Sequence, residues 1–277
     1  MIKDIMVHLD GSAEDEIRLA YAEIIASTWG AHLTAIFTNC LPDLAVATPV
    51  DGGAAMMQML SEWQNQAQQE GDAICGRLAG RLARIAEPSE LRRIDETVDN
   101  MATIIERQAR CADLFVTTRP YPESGGLTWG RLVEAVLFGS GRALLLLPLG
   151  YSPRGLARTV LVAWNDSHTA ARVMREGLSF IEKATHTVVL VVDPKPDSDP
   201  GSWVREHLAR YSPNVEVICA ESRNRRISQV IADEAHRVSA DLIVMGGYGH
   251  TRLRERVFGG ATLEMLTASE YPMLMAH

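Results

Sequence analysis

The residues best suited to chemistry lie near the C-terminal end of the chain, where glycines follow an apolar run. Leu242-Ile243-Val244-Met245 leads into Gly246-Gly247-Tyr248-Gly249, and a second pair, Gly259-Gly260, follows after nine intervening residues. Glycine lets backbone N–H groups approach an anion closely, and a following helix N-terminus adds unpaired donors and a positive dipole end. The pattern predicts a strand that ends in a hollow the size of a phosphate group. No Lys-Ser/Thr pair follows the glycines, so it is not a Walker P-loop.

Polar side chains within and beside this glycine pattern are further candidates. Arg252 is the first of three alternating arginines; either one of them approaches a phosphate with its fork of donors, or all three form a solvated face. His250 either touches a phosphate or faces solvent. Thr262, two positions after Gly260, offers its hydroxyl to a phosphate or caps a helix.

Signatures of catalysis and of metal binding are missing from the sequence. It contains no G-x-S-x-G, H-E-x-x-H or C-x-x-C motif, and no carboxylate pair with a clear division into acid and base. The remaining His and Cys residues lack metal-ligand spacing. Its four cysteines are expected to be reduced and mostly buried. We therefore expect no catalytic residues and no metal site.

The net charge of −8 is carried by one half of the chain. Residues 1–150 have 12 Lys and Arg against 20 Asp and Glu, whereas residues 151–277 have 15 of each sign. This balance argues against a nucleic-acid binder, which would present a basic face, and fits a small anionic ligand held by the second half. No apolar run is long enough for a transmembrane segment, and the N-terminus lacks the features of a signal peptide, so a cytoplasmic protein is expected.

The chain repeats itself. Lys3–Ser12 matches Arg158–Ser167, and Cys111–Val116 matches Ser239–Val244; each match contains a short apolar strand candidate. Helical spacing follows the first strand of each copy, and each copy closes with another apolar strand. Strands that alternate with helical segments predict βαβ units and a parallel sheet.

These matches divide the chain into a domain at 1–150 and a domain at 156–277. The first is longer because of an insertion around residues 40–70, which leads into a helical run from Met56 towards Ala86. Two copies of one unit are expected to pack as identical subunits do, in an intramolecular pseudo-dimer. The helix expected near Thr169 would be capped by Asp166 or Asn165.

Together these residues resemble the universal stress protein family in its tandem form. The most specific part is Gly246-x-x-Gly249 with Gly259, preceded by Ala240–Met245; Asp10-Gly11-Ser12 is the other hallmark. The resemblance implies two five-stranded parallel sheets of order 3-2-1-4-5, the adenine-nucleotide α-hydrolase-like fold. It also implies a nucleotide at the carboxyl ends of strands 1 and 4, where open α/β sheets generally bind ligands.

Carried over residue by residue, the resemblance places ATP in the second half. Gly246, Gly249 and Gly259 match the phosphate pattern, but Gly260 stands where ATP-binding members usually have Ser or Thr. Asn165 occupies the acidic position after strand 1. The full set of residues expected to contact the nucleotide is Asn165, Asp166, Val192, Asp193, Gly246, Gly249, His250, Arg252, Gly259, Gly260 and Thr262.

The first half departs further from the family pattern. Thr118-Arg119-Pro120-Tyr121 replaces its glycines, and Pro has no N–H to donate, so we expect a degenerate domain without nucleotide.

The function expected for the whole protein is that of an ATP-binding regulatory or stress-response module, with ATP held alone or with Mg²⁺ and at most slowly hydrolysed. The alternative is a scaffold for dimerisation or protein interaction that binds no nucleotide. The family resemblance also implies a homodimer, and the apolar closing strands are consistent with pairing at a sheet edge.

Overall fold

In the part of the chain that the structure describes, ten strands form one sheet. The computed structural model describes residues 1–42, 54–120, 129–195, 201–247 and 260–277. In chain order, its strands are β1 (Asp4–Leu9), β2 (His32–Cys40), β3 (Ser89–Glu96), β4 (Leu114–Thr118), β5 (Ala143–Leu147), β6 (Thr159–Ala163), β7 (His186–Val192), β8 (Val215–Ala220), β9 (Leu242–Gly246) and β10 (Met273–Ala276). Its α-helices are α1 (Glu14–Trp29), α2 (Ala54–Leu82), α3 (Val98–Ala109), α4 (Gly130–Ala135), α5 (His168–Lys183), α6 (Ser202–Leu208), α7 (Ile227–Arg237) and α8 (Gly260–Ala268). A π-helical turn, Val136–Ser140, continues α4.

The strand order is β3-β2-β1-β4-β5-β10-β9-β6-β7-β8. Within each half the neighbouring strands are parallel and follow the order 3-2-1-4-5. Between the halves, β5 and β10 pair antiparallel, with Leu145 opposite Leu274. The structure thus confirms the predicted fold and the pseudo-dimer of two similar units.

An aspartate fixes the first strand in both copies of the repeat. One carboxylate oxygen of Asp113, before β4, accepts hydrogen bonds from the backbone N–H groups of Lys3 and Asp4 at 2.7 and 3.1 Å. Asp241, before β9, accepts from the corresponding amides of Arg158 and Thr159, each at 2.9 Å. The matched Ala-Asp pair of the repeat therefore aligns strands 1 and 4 of each half, and so positions the crevice between them.

Two hydrophobic clusters, one on each face of the sheet, contain residues of both halves. The central strands are buried on both faces, as near-continuous apolar strands of a parallel sheet require. On one face, Trp29 at the end of α1 meets Phe180 of α5 edge to face, with ring centroids 5.4 Å apart. Residues of both halves contribute to the same apolar cluster on this face, so the seam between them is part of the interior.

The long helix α2 follows the insertion and covers the outer strands of the first half. It comes very close to them at Gly71, where an added Cβ would lie 2.5 Å from the Asn39 amide and 2.6 Å from the Arg93 guanidinium. The insertion segment itself, residues 43–53, lies outside the described residues.

Two expectations drawn from the sequence need correction. The closing strands β5 and β10 are not free edges for a second chain, because they pair with each other inside the sheet. The cysteines are not mostly buried: Cys111 and Cys219 are exposed, and Cys40 and Cys75 are half-buried. Cys111 lies in the turn between α3 and β4, Cys219 on the edge strand β8, Cys40 at the end of β2 and Cys75 on the outer helix α2. All four are free thiols.

None of the helices in the described ranges is both long and apolar enough to cross a bilayer.

Candidate functional site

The candidate site lies at the carboxyl ends of β6 and β9. These two strands are neighbours, with Ala163 opposite Met245. The chain leaves β6 towards β7 on one side and returns through β9 on the other, so a switch-point crevice opens between the loops that follow them. Asn165 and Asp166 follow β6, and Gly246 ends β9, so the fold brings these predicted site residues to one edge of the sheet.

The β6–α5 loop is held by Ser167. Its hydroxyl donates to Asn165 Oδ1 at 2.6 Å and accepts from the Ala170 N–H at 3.2 Å. Ser167 is therefore the N-cap of α5, and the prediction of Asp166 or Asn165 as the cap was wrong. Asp166 instead occupies the left-handed turn at φ 56°, and both Asn165 and Asp166 remain exposed.

Gly246 brings β9 against the N-terminus of α5. A Cβ at this position would lie 2.8 Å from Thr169 Oγ1 and 2.9 Å from the Ala170 backbone nitrogen. Such distances are too short for a real side chain, so packing alone requires glycine here. The next amide, Gly247 N–H, donates to the Ala276 carbonyl of β10 at 2.9 Å and is thereby occupied within the sheet.

Val192 and Asp193 end β7 at the same edge of the sheet. Val192 is half-buried, whereas Asp193 is exposed in a left-handed conformation at φ 51°. The Asp193 carboxylate accepts the Ser222 N–H at 2.8 Å, and hydrogen bonds from Ser222 lower the pKa of this carboxyl. Asp193 therefore ties the end of β7 to the loop after β8.

Helix α8 begins at Gly260. Among the residues that the structure describes, an added Cβ at Gly260 would meet nothing within 4 Å. Thr262 is buried in the first turn. Further along, Glu264 binds two residues at the start of α7: it accepts a hydrogen bond from the Ser228 hydroxyl and pairs with Arg226 at 3.1 Å. The predicted residues Gly249, His250, Arg252 and Gly259 lie outside the described residues.

The corresponding crevice of the first half is filled by its own side chains. Asp10 aligns with Asn165, and eight residues later Arg18 aligns with Val173. Arg18 is 2% exposed, and its guanidinium lies 3.2 Å from a carboxylate oxygen of Asp10 and 3.2 Å from one of Asp15. It also donates to the Thr118 hydroxyl at 3.1 Å, and Thr118 aligns with Gly246.

Trp129 and His8 complete this buried network. The Trp129 indole N–H donates to Asp10 Oδ2 at 2.7 Å, and the His8 ring meets the Trp129 ring edge to face at 4.7 Å. The ring nitrogens of His8 are hydrogen-bonded to two threonine hydroxyls, those of Thr38 at 3.0 Å and Thr117 at 3.3 Å. The carboxylate that the family resemblance assigns to ligand binding is thus bound within the protein.

Burial and the Arg18 charge set the protonation states of this network. Burial, and then Arg18, lower the pKa of His8 to about 3, so His8 is neutral near pH 7. Burial raises the pKa of Asp15 to about 6 against the opposing charge of Arg18. Burial would also raise the pKa of Asp10, but Arg18, His8 and hydrogen bonds from Ser12 and Arg18 hold it well below its usual range. Each group therefore depends on Arg18.

Sequence reasoning missed this network, although one signal was present. Arg18 shares a helical face with Ala22 and Ile25, at spacings of four and seven residues, and this face is buried. A cation on the apolar face of a helix needs a buried partner, and Asp10 and Asp15 were the near candidates.

The model of the universal stress protein family matches residues 157–277. The second half is a universal stress protein domain. The match begins just before β6 and runs to the end of the chain, so it includes the whole switch-point crevice described above. No protein of curated function matches the sequence.

Solved structures extend the likeness of fold to both halves. A universal stress protein from Archaeoglobus fulgidus DSM 4304 has a TM-score of 0.69 at 15% identity, covering 98% of this chain and 97% of its own. A protein grouped with the universal stress proteins from Pseudomonas aeruginosa UCBPP-PA14 has a TM-score of 0.61 at 16% identity, covering 99% and 93%. A protein of unknown function from Pseudomonas aeruginosa PAO1 has a TM-score of 0.60 at 15% identity, covering 99% and 92%. The chain therefore consists of two universal stress protein folds in tandem.

Proposed function

We propose that the second half binds ATP and that the protein acts as a regulatory module of the stress response, with one nucleotide per chain. The family match over residues 157–277 supports the proposal, as does the crevice between β6 and β9. The family's glycine pattern and the N-terminus of α8 supply backbone donors of the kind that bind phosphate.

The observation that carries the proposal is the contrast between the two crevices. In the first half, Arg18 donates hydrogen bonds to the Asp10 carboxylate, the His8 carbonyl and the Thr118 hydroxyl, so an internal cation occupies this place. In the second half, the aligned residues are Val173, which is buried in the core, and Gly246, which has no side chain. An external ligand is therefore expected in the second half and none in the first.

Each residue has a proposed role. The exposed Asn165 side chain hydrogen-bonds the nucleoside, helped by Asp166, and the ends of β7 at Val192 and Asp193 lie nearest the base. The phosphates rest on the loop from Gly246 and on the α8 N-terminus at Gly260. Mg²⁺, where present, would accompany the phosphates. The proposed phosphate contacts outside the described residues are Gly249, His250, Arg252 and Gly259.

Isothermal titration and native mass spectrometry test the proposal. Purified protein is expected to retain ATP or to bind it with a stoichiometry of one, and bound ATP should raise the unfolding temperature by mass action. The proposal is rejected if millimolar ATP produces no heat of binding and no gain in stability. A stoichiometry of two would show that the first half also binds.

A gain-of-function variant tests the location of the site. Gly260 stands where ATP-binding members have a hydroxyl side chain, and an added Cβ there would meet no described residue within 4 Å, so Gly260→Ser can add a phosphate contact. One such hydrogen bond to a charged group is worth about 1.5 kcal/mol, or roughly tenfold in affinity. Gly260→Ala is the matched control and should bind ATP as the wild type does. If Gly260→Ser and Gly260→Ala bind ATP with equal affinity, the phosphates do not bind at the N-terminus of α8.

The alternative function is a scaffold without nucleotide. It is favoured by the uncharged Asn165, by the missing hydroxyl at Gly260, and by the Gly247 amide, which is already bonded to Ala276. A homodimer is compatible with either function. It stays a prediction from the family resemblance alone, because β5 and β10 pair with each other and offer no free sheet edge to a second chain.

A further inference from the structure

Helix α8 connects the proposed phosphate site to the other half of the molecule. It begins at Gly260, at the carboxyl edge of the second half, and ends at Ala268 before the chain enters β10. Nine helical residues span about 13 Å, so its C-terminus lies towards the opposite edge of the sheet. Because the halves join through antiparallel strands, that edge carries the strand ends of the first half.

Arg119 of the first half binds the C-terminus of α8. It follows β4 directly, and its guanidinium Nη1 donates a hydrogen bond to the Thr267 carbonyl in the last turn of the helix. The last carbonyls of a helix have no partner within it, and a cation there is also attracted by the negative end of the helix dipole. Within the described ranges Arg119 pairs with no carboxylate, and its buried Nε–H has no partner. The side chain is therefore held chiefly at the end of α8.

The start of the glycine loop also contacts the first half. An added Cβ at Gly247 would lie 3.1 Å from a methyl group of Leu137, in the π-helical turn of the first half. The Gly247 carbonyl accepts a hydrogen bond from the His277 ring at 3.0 Å, and that ring meets Phe138 edge to face at 4.8 Å. Residues of the first half thus touch both elements that would hold the phosphates.

We propose that Arg119 is a positioning residue for the phosphate site of the second half: it fixes the C-terminus of α8 and thereby sets where the helix N-terminus meets the phosphates. The inference rests on the proposed function. Its consequence is selective, because α8 would contact the phosphates and not the nucleoside. Loss of the Arg119 contact should therefore weaken binding of ATP and leave binding of adenosine unchanged.

Titration of the full chain with ATP and with adenosine tests this inference. Arg119→Met should weaken ATP binding about 5- to 20-fold, within the usual range of coupling between sites, with adenosine affinity as in the wild type. Arg119→Lys should recover part of the loss, since an ammonium group can still donate to one carbonyl. Arg131→Met is the control, because Arg131 is an exposed arginine of the same half whose partner is the exposed Asp99.

The outcomes separate this inference from the proposed function. ATP binding by Arg119→Met that equals the wild type, or an equal loss of ATP and adenosine, would overturn the positioning role and leave the proposed function intact. A wild-type protein that binds neither compound would overturn both. If Arg119→Met does not fold, Arg119→Lys decides: a loss confined to ATP supports the role, and no loss or a loss for both ligands contradicts it.

Discussion

At the scale of the residue, one buried arginine, Arg18, fills the crevice of the first half. Arg18 is in contact with Asp10, Asp15, Thr118 and the backbone carbonyl of His8. Removing one partner of a buried ion pair costs about 3–5 kcal/mol, because it leaves the other charge uncompensated. The network therefore fills the position at which the second half has Gly246 and Val173.

The pH dependence of stability should reveal this network. The lowered pKa of His8, about 3, means that the unfolded chain takes up a proton below pH 6.5 before the native protein does, so stability falls as pH falls. The raised pKa of Asp15, about 6, has the opposite effect: the native protein takes up its proton first, so stability rises as pH falls towards 4. Between pH 6 and 4 the two effects should nearly cancel.

Asp15→Asn should remove this cancellation. Its free energy of unfolding should then fall about 1.4 kcal/mol per pH unit more steeply than that of the wild type between pH 6 and 4. Urea unfolding at pH 6, 5 and 4 measures the slope. Glu16→Gln, the neighbouring exposed carboxylate, should keep the wild-type slope. Parallel slopes for Asp15→Asn and the wild type would contradict the assigned protonation states.

At the scale of the element, the packing of β9 on α5 and the start of α8 give two glycines different roles. Gly246 has no room for a side chain, because the first turn of α5 lies against it, whereas a Cβ at Gly260 would meet none of the described residues within 4 Å. The sequence suggests one role for both, as parts of a phosphate pattern. The structure adds that Gly246 is needed for the fold itself.

Alanine should therefore destabilise the protein at Gly246 but not at Gly260. Gly246→Ala should destabilise the protein by about 1–3 kcal/mol, because the added methyl group meets backbone atoms that cannot rotate away. Gly260→Ala should leave stability unchanged or raise it by up to about 1 kcal/mol, since alanine favours a helix more than glycine does. Urea unfolding of the two variants checks this, and equal midpoints would refute the packing argument.

At the scale of the whole molecule, the antiparallel β5–β10 pair and the shared core make the two halves one folding unit. Phe180 of the second half is 1% exposed and packs on Trp29 of the first. Core contacts that cross the seam are typical of a large apolar interface, and such domains do not move independently.

Phe180→Ala should consequently destabilise both halves together, by about 3–5 kcal/mol. Unfolding followed by tryptophan fluorescence and by far-UV circular dichroism should give a single, coincident transition in the wild type and in the variant. Trp203→Ala removes an aromatic side chain that is 86% exposed and should change stability by less than about 0.5 kcal/mol. Two separate transitions in Phe180→Ala would show that the halves unfold independently.

The repeat explains why so much of the fold could be predicted from the sequence. The matched segments Lys3–Ser12 and Arg158–Ser167 both contain a buried first strand, and the apolar closing strands were visible as well. The edge strands β3 and β8 were not, because β3 has only two apolar residues, Leu91 and Ile94, and no residue of β8 is fully buried. Ser167 has the side chain of an N-cap, as Asn165 and Asp166 do, so the residue types alone do not decide which of the three caps α5. The Arg119 contact joins the two halves and has no local signature.

The antiparallel seam has an evolutionary consequence. Because β5 and β10 run in opposite directions, the crevice of each half opens at a different edge of the ten-stranded sheet. In a dimer of identical subunits, any mutation that closes one such crevice closes the other as well. Joining the copies in one chain removes that constraint, so that the first half can have Arg18 where the second half has Val173.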